Sequence, residues 1–371
     1  MATAVVSPPA APPSNVEQSA PLAPQTLEET GLTSAFVADL TLKLLYQKGQ
    51  TNAAELADTL CLPLPKILQA TLDFLRNEHF VEVKGGSGVA ASTYIYVISQ
   101  KGAERAKEAM DRNGYVGAAP VPLASYVARV RSQSIGDVQI TFESLRKALS
   151  HLVLPERTLR QLGPAINSGR SIFLFGPPGT GKSSIAESLA SLLHGNMVLP
   201  YAVLVGQQII RVYDPSRHRP LIQLDARFDR RWVPVARPFV EVGGELTLED
   251  LDLNFDPVTK VHEAPFQMKA SGGVLLVDDF GRQRASPEQL LNRWIVPLDR
   301  DVDFRTRSRS SRRRTPSSRR SCAGYARYRR SPSTRRPRSG SRSTVVSGTS
   351  RCVRATLAIS CSISAPRRAF C

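Results

Sequence analysis

The stretch SIFLFGPPGTGKSS, residues 171–184, constrains this chain more than any other part of it. Residues 176–183 fill the pattern G-x-x-x-x-G-K-S completely, with an apolar run before them and the helical periodicity of SSIAESLASLL after them. Strand, glycine-rich loop and helix in that order make a cradle for anionic oxygen. Glycine lets the backbone approach a phosphate where a Cβ would clash. Successive backbone N–H groups then point into the concavity, and the helix N-terminus adds partial positive charge. The residues assigned to the cradle are Gly176, Pro177, Pro178, Gly179, Thr180, Gly181, Lys182, Ser183 and Ser184. Lys182 is expected to reach the β- and γ-phosphates of a bound nucleotide, and Ser183 to ligate Mg2+. Residues 171–175 suit a buried parallel strand.

A second element fits the first. In GGVLLVDDFGRQ the apolar run 274–277 ends in Asp278. A carboxylate at the C-terminal end of a strand holds Mg2+ through water. Such a strand is expected beside the phosphate-loop strand, at the carboxyl edge of the sheet. Asp279 follows directly. The bland reading, an exposed turn after a strand, also favours Asp.

Upstream, residues 31–115 read as a separate unit. TSAFVADLTLKLLYQKG has helical spacing and a stop at Gly49. TNAAELADTL follows, with Thr51 or Asn52 as N-cap. LPKILQATLDFLRNEHF gives a third helix, FVEVKGGSGVAASTYIYVIS a hairpin, and QKGAERAKEAMDRNG a closing helix. Three helices and a β-hairpin resemble a winged-helix domain, a helix-turn-helix variant. Nine Lys and Arg balance nine Asp and Glu over these residues. Phosphate neutralisation supplies most non-specific DNA affinity, so a protein-contact module is preferred to a DNA reader. Residues 1–30, rich in Ala, Pro, Ser and Gln, are expected to be disordered. Residues 116–131, with Pro120 and Pro122, read as a linker.

GPPGTGKS together with VLLVDD resembles the AAA+ ATPases, and SPEQLLNRWIVPLD is similar to the following helix of their MoxR-like relatives. The resemblance covers roughly Thr141 to Phe304, within a core read as residues 132–304 and incomplete at its carboxyl end. It implies an α/β P-loop NTPase fold, a doubly wound parallel sheet, preceded here by the small winged-helix-like α+β domain. A winged-helix-like module before an AAA+ core resembles a group of uncharacterised bacterial ATPases. The implied activity is Mg2+-dependent ATP hydrolysis that remodels a protein partner, in a homo-oligomeric ring, often a hexamer. The catalytic residues so implied are Lys182 and Asp279, and the metal residues Ser183 and Asp278. The family usually carries Glu where Asp279 stands, one methylene longer. The chain between Lys182 and Asp278 also exceeds the usual family spacing. Within it the stretch from Tyr213 to Pro257 reads as an insertion rich in short strands and turns, either a substrate or ring-contact element or a surface excursion.

From Arg305 the composition changes. Residues 305–371 hold 19 Arg and no Lys, Asp or Glu; removing those nineteen from the formal +17 leaves −2 for residues 1–304. No strand with a sensor residue and no amphipathic helix is evident there, so these residues read as an out-of-frame, disordered tail. The rival is a genuine Arg/Ser-rich segment that binds nucleic acid. With the winged helix it would make a nucleic-acid-binding protein; a nucleotide-binding regulator without turnover is the other alternative.

Only Cys61 precedes the tail, which fits a reducing compartment. The first ten residues lack a signal peptide's basic start, and no apolar run approaches the roughly 20 residues of a membrane span. A cytoplasmic protein without a membrane partner is expected. His79, His151, His194, His218 and His262 show no metal spacing and read as surface or structural. Trp232 and Trp294 read as packing residues, and Arg230 with Arg231 as a solvated pair.

Overall fold

The structure, a computed structural model, describes residues 20–86, 94–133, 139–168, 171–177, 179–193, 195–300 and 356–362. Residues 20–30, expected to be disordered, are ordered. Thr26 caps a short helix, α1 (Leu27–Thr30), by accepting the N–H of Glu29, and Gly31 closes it at φ 69°. The order comes from distant residues: Ala23 N–H donates to Arg227 O (2.9 Å), and Asp229 N–H to Pro21 O (2.8 Å). Composition does not record such contacts.

The amino-terminal module follows the expected order. Helix α2 (Ser34–Lys48) starts at the Thr33 cap and stops at Gly49, φ 77°. Strand β1 (Gln50–Asn52) leads into α3 (Ala53–Leu60), where the Asn52 side chain accepts the Glu55 N–H. A π-turn (Leu64–Leu68) runs into α4 (Gln69–Asn77). Then come β2 (Val81–Gly86), β3 (Tyr94–Ile98) and α5 (Gln100–Arg112). The three strands form one antiparallel sheet, β1-β3-β2. Leu40, Leu45, Leu56, Leu60, Leu68, Leu72 and Leu75 are fully buried at its centre. Arg105 and Arg112 both grip Asp39 (3.0 and 2.5 Å), which fixes α5 against α2.

The stretch read as a linker is structured as well. It supplies β4 (Val121–Pro122) and most of α6 (Leu123–Ser132), which buries Tyr126 and Val130 at i, i+4 spacing. Helices α7 (Phe142–Ala148) and α8 (Glu156–Asn167) precede β5 (Ile172–Gly176) and α9 (Lys182–Leu192).

Between α9 and β13 the chain contributes β6 (Asn196–Pro200), β7 (Ala202–Val205), β8 (Gln208–Arg211) and, within the insertion, β9 (Trp232–Ala236). After β10 (Phe239–Val242) it continues with β11 (Asn254–Asp256), β12 (Val261–Glu263) and α10 (Phe266–Lys269). β6 pairs with β9, and the others form a sheet ordered β11-β12-β8-β7-β4 that recruits the former linker. Neither reading of the insertion anticipates where it packs. Ala202, Ile209 and Val261, which flank it, share a core with Leu56 and Leu60 of the amino-terminal module. Gly114 N–H donates to Thr259 O (2.6 Å) and Ala119 N–H to Leu60 O (2.8 Å). Arg231 is no solvated residue. It is 4% exposed, forks onto Asp229 (2.8 and 2.9 Å), and donates to Thr30 O (2.9 Å). Arg230 is not freely solvated either: its side chain is 27% exposed and pairs with Asp58 (2.7 Å).

Strand β13 (Val274–Val277) precedes α11 (Pro287–Arg300), and the last strand is β14 (Thr356–Ser362). β10, β13, β14 and β5 lie in that order in one sheet, every pair parallel. Helices cover both faces. Leu276 packs with Leu145, Leu162, Ile166, Ile185 and Leu189 of α7, α8 and α9. Val240, Val242, Leu275 and Val277 pack with Leu290 and Trp294 of α11. Three expectations need correction. The tail is not disordered throughout: residues 355–366 carry no charge, and 356–362 form β14. The rest of the tail lies outside the described residues. β13 does not adjoin β5, because β14 separates them. β5 is not fully buried: at the sheet edge, Phe173 and Phe175 are 48% and 72% exposed. Among the described residues no helix is long and apolar enough to cross a membrane.

Candidate functional site

The loop 176–181 leaves the carboxyl end of β5 and enters α9. Gly179 and Gly181 sit at φ 77° and 76°, and a Cβ added to either meets nothing within 4 Å. Within the loop itself the glycines are therefore required by backbone conformation, not by room. Gly181 caps α9 and offers no side chain to its first-turn N–H groups, which suits an anion. Pro178 lies outside the described residues. Thr180 Oγ1 donates to Pro177 O (2.9 Å), and so does Lys182 Nζ (2.8 Å). The Lys182 side chain thus folds back over the loop, and the residue is 8% exposed. Ser184 serves here through its carbonyl, which accepts from Ser188 Oγ (2.6 Å).

Ser183 Oγ donates to Asp278 Oδ2 at 2.7 Å, joining residues 95 positions apart. The other carboxylate oxygen accepts the Asp279 N–H (2.9 Å). The Asp278 backbone is held on both sides: its N–H donates to Val242 O (2.9 Å), and its carbonyl accepts from Gln283 Nε2 (2.7 Å). Gln283 in turn accepts the Gly281 N–H through Oε1 (2.7 Å). This glutamine fixes the turn after β13, and nothing in the sequence marks it out.

Asp279 is placed differently. It takes up a left-handed backbone at φ 51°, which Asp tolerates better than most residues. Its carboxylate is 3.5 Å from Arg282 Nη1 and 43% exposed. That carboxylate is turned to Arg282 rather than to the Ser183–Asp278 pair.

Two acids missed by sequence reading stand nearby. Burial raises the Glu241 carboxyl above its ordinary value, and the charges of Glu187, Asp278 and Glu245 add to the rise. Glu187 lies on α9 one turn after Ser183, and Glu241 on β10. The edge is therefore electronegative on the side of Asp278, with Lys182 on the loop. Among the described residues no group of three or more His, Cys, Asp or Glu could hold a metal. The chain offers one hydroxyl and one carboxylate in contact. Those are hard oxygen donors, and they suit Mg2+, which keeps several waters and takes its remaining ligands from phosphate.

The other residues weighed in the sequence are structural. Trp232 and Trp294 are 4% and 3% exposed. His218 accepts the Asp214 N–H at Nδ1 (2.9 Å) and reaches Lys269 O from Nε2 (2.8 Å). Burial lowers its pKa. His151 Nε2 lies 3.3 Å from Ser188 Oγ. His79 is exposed, His262 is buried, and His194 lies outside the described residues.

No protein-family model matches the chain, and no curated protein matches it. A solved structure described as "Crystal structure of MepR like protein complexed with pseudoligands" is 22% identical to it. The alignment covers 39% of this chain and 80% of that one, at a TM-score of 0.19. A likeness at that score carries no argument about fold or function.

Proposed function

We propose that this chain binds ATP with Mg2+ at the carboxyl edge of the four-stranded parallel sheet and hydrolyses it, as an AAA+ type ATPase. The observation that carries the reading is the 2.7 Å contact between Ser183 Oγ and Asp278 Oδ2, beside Lys182 and the loop amides. The parallel order β10-β13-β14-β5 with helices on both faces supports it, since ligands of such sheets bind outside the carboxyl ends of the strands.

Each residue has a task that follows from its surroundings. The loop N–H groups and the α9 terminus bind phosphate oxygen. Lys182 now donates to a carbonyl oxygen, Pro177 O, which a phosphate oxygen can replace. Ser183 and Asp278 would hold Mg2+, which when bound neutralises charge developing on the phosphates. The two hydrogen bonds on Asp278 keep its carboxylate aimed at Ser183. Asp279 is the residue assigned to orient water, and it must leave Arg282 to do so. By resemblance the protein works in the cytoplasm as a homo-oligomeric ring that remodels a protein client.

A second reading has its own observation. The carboxylate of Asp279 is turned to Arg282, and that arrangement favours a nucleotide-binding switch without turnover. Steady-state phosphate release separates the two. Release that stops in Lys182→Ala supports the ATPase. Binding of ATP without release supports the switch, and release unchanged in Lys182→Ala overturns the site.

A further inference from the structure

A helix-turn-helix reads duplex DNA by laying its second helix in the major groove, with the N-terminal residues of that helix on the base edges. In this chain the corresponding corner is the turn after α3, from Cys61, and the start of the next helix around Lys66. That corner is covered in part by protein, while Lys66 itself stays exposed. Asp58, in the last turn of α3, is held by Arg230 of the insertion (2.7 Å). Leu60 O accepts the Ala119 N–H (2.8 Å). Cys61 lies among the charges of Asp229, Arg230 and Arg231, and burial pushes its thiol up to about 11. The Lys66 ammonium donates to the Gln25 side chain of the amino-terminal segment. That segment is stitched in turn to the insertion at Arg227 and Asp229.

We infer that the helix-turn-helix corner of the amino-terminal module is the docking site for this chain's own insertion and residues 20–30, so that the module does not read duplex DNA through it. Charge points the same way. Of the two cations on the recognition helix, Lys66 is bound to Gln25 and Arg76 lies 3.5 Å from Asp73. Shared burial of Leu56 and Leu60 with Ala202, Ile209 and Val261 makes the contact a continuous core. Module and insertion then act as one body, and a client must be met by another face.

Two measurements on the full chain test this. The first is fluorescence anisotropy of a labelled duplex from about 50 to 200 mM salt, with the wild type and Lys66→Glu/Arg76→Glu. The 19 tail arginines are a separate source of affinity. The double variant is expected to keep the wild-type affinity and salt slope, whether binding is strong or absent. Weaker binding with a slope smaller by about 1–2 would overturn the inference. The second is peptide-resolved alkylation of Cys61. Native protein is expected to label far more slowly than urea-unfolded protein. Because Arg230 also lowers the Cys61 thiol pKa, the charge swap is read instead from amide hydrogen exchange of the peptide holding Leu62 N–H: Arg230→Asp is expected to speed it about two- to fivefold, the value of an outer ion pair, and Asp58→Arg in the same chain to restore it. Labelling at the unfolded rate in the native wild type, or no response to the charge swap, would overturn the docking.

Discussion

Two neighbouring arginines of the insertion should differ sharply in what they contribute. Arg231 and its partner Asp229 are 4% and 5% exposed in their side chains; Arg230 and Asp58 are 27% and 66% exposed. Arg231→Ala would leave the Asp229 carboxylate buried with only the N–H at position 231 (3.1 Å) to replace a forked guanidinium. It would also strip the hydrogen bond from Thr30 O. Removing one partner of a buried pair costs about 3–5 kcal/mol. Arg230→Ala removes an outer pair worth about 0.2–1 kcal/mol. Domains are stable by only about 5–15 kcal/mol, so the first change consumes much of the total. Urea unfolding, followed by the fluorescence of buried Trp232 and Trp294, measures both. A difference of less than about 1 kcal/mol between the two variants would refute the claim that Arg231 locks the insertion to the segments on either side of the amino-terminal module, at Thr30 and Pro120. Replacing the pair together, Arg231→Met with Asp229→Leu, should recover most of the loss, because no charge is then left buried.

Other expectations follow from the same geometry. Burial pulls the Lys43 ammonium down from 10.5 to about 8, against the opposing charge of Asp39. Between those values the unfolded chain holds more protons, so stability should rise with pH from 8 to 10.5. Lys43→Met should abolish a rise of up to about 3 kcal/mol, read from chemical melts across that window. Asp214 is pushed up by burial but held at about 2 by hydrogen bonds from Lys269 and Ser216. Its contribution should be lost as pH falls through the range below 3.8, and Asp214→Asn should flatten that part of an acid-unfolding curve. Gly181→Ala places a Cβ at φ 76°, a strain of about 1–2 kcal/mol, with no atom in its way. Nucleotide affinity should fall about tenfold while the far-ultraviolet spectrum is kept.

What the sequence makes legible is local. The Gly49 stop, the Asn52 cap and the glycine loop each depend on a few adjacent residues, and the structure places them as expected. The carboxylate of Asp278 is legible because an apolar run ends on it. What is illegible depends on distance along the chain. An arginine pair at 230–231 looks solvated until Asp229, Thr30 and Pro120 close round one member. Residues 20–30 look disordered because their order comes from Arg227 and Asp229. Glu187 and Glu241 carry no motif and meet only because α9 and β10 lie near the same sheet edge. Gln283 anchors Asp278 through a turn that no pattern announces.

The central claim is that Lys182, Ser183 and Asp278 form one Mg2+–nucleotide site. Calorimetric titration of the full chain with ATP tests it most directly, with Mg2+ and with EDTA, in the wild type, Lys182→Ala and Ser183→Ala. The account predicts binding that Mg2+ strengthens. Lys182→Ala should weaken it about 10- to 100-fold, the value of a charged hydrogen bond. Ser183→Ala should lose mainly the Mg2+ dependence. A wild type that binds no ATP, or that binds it equally well without Lys182, would contradict the account.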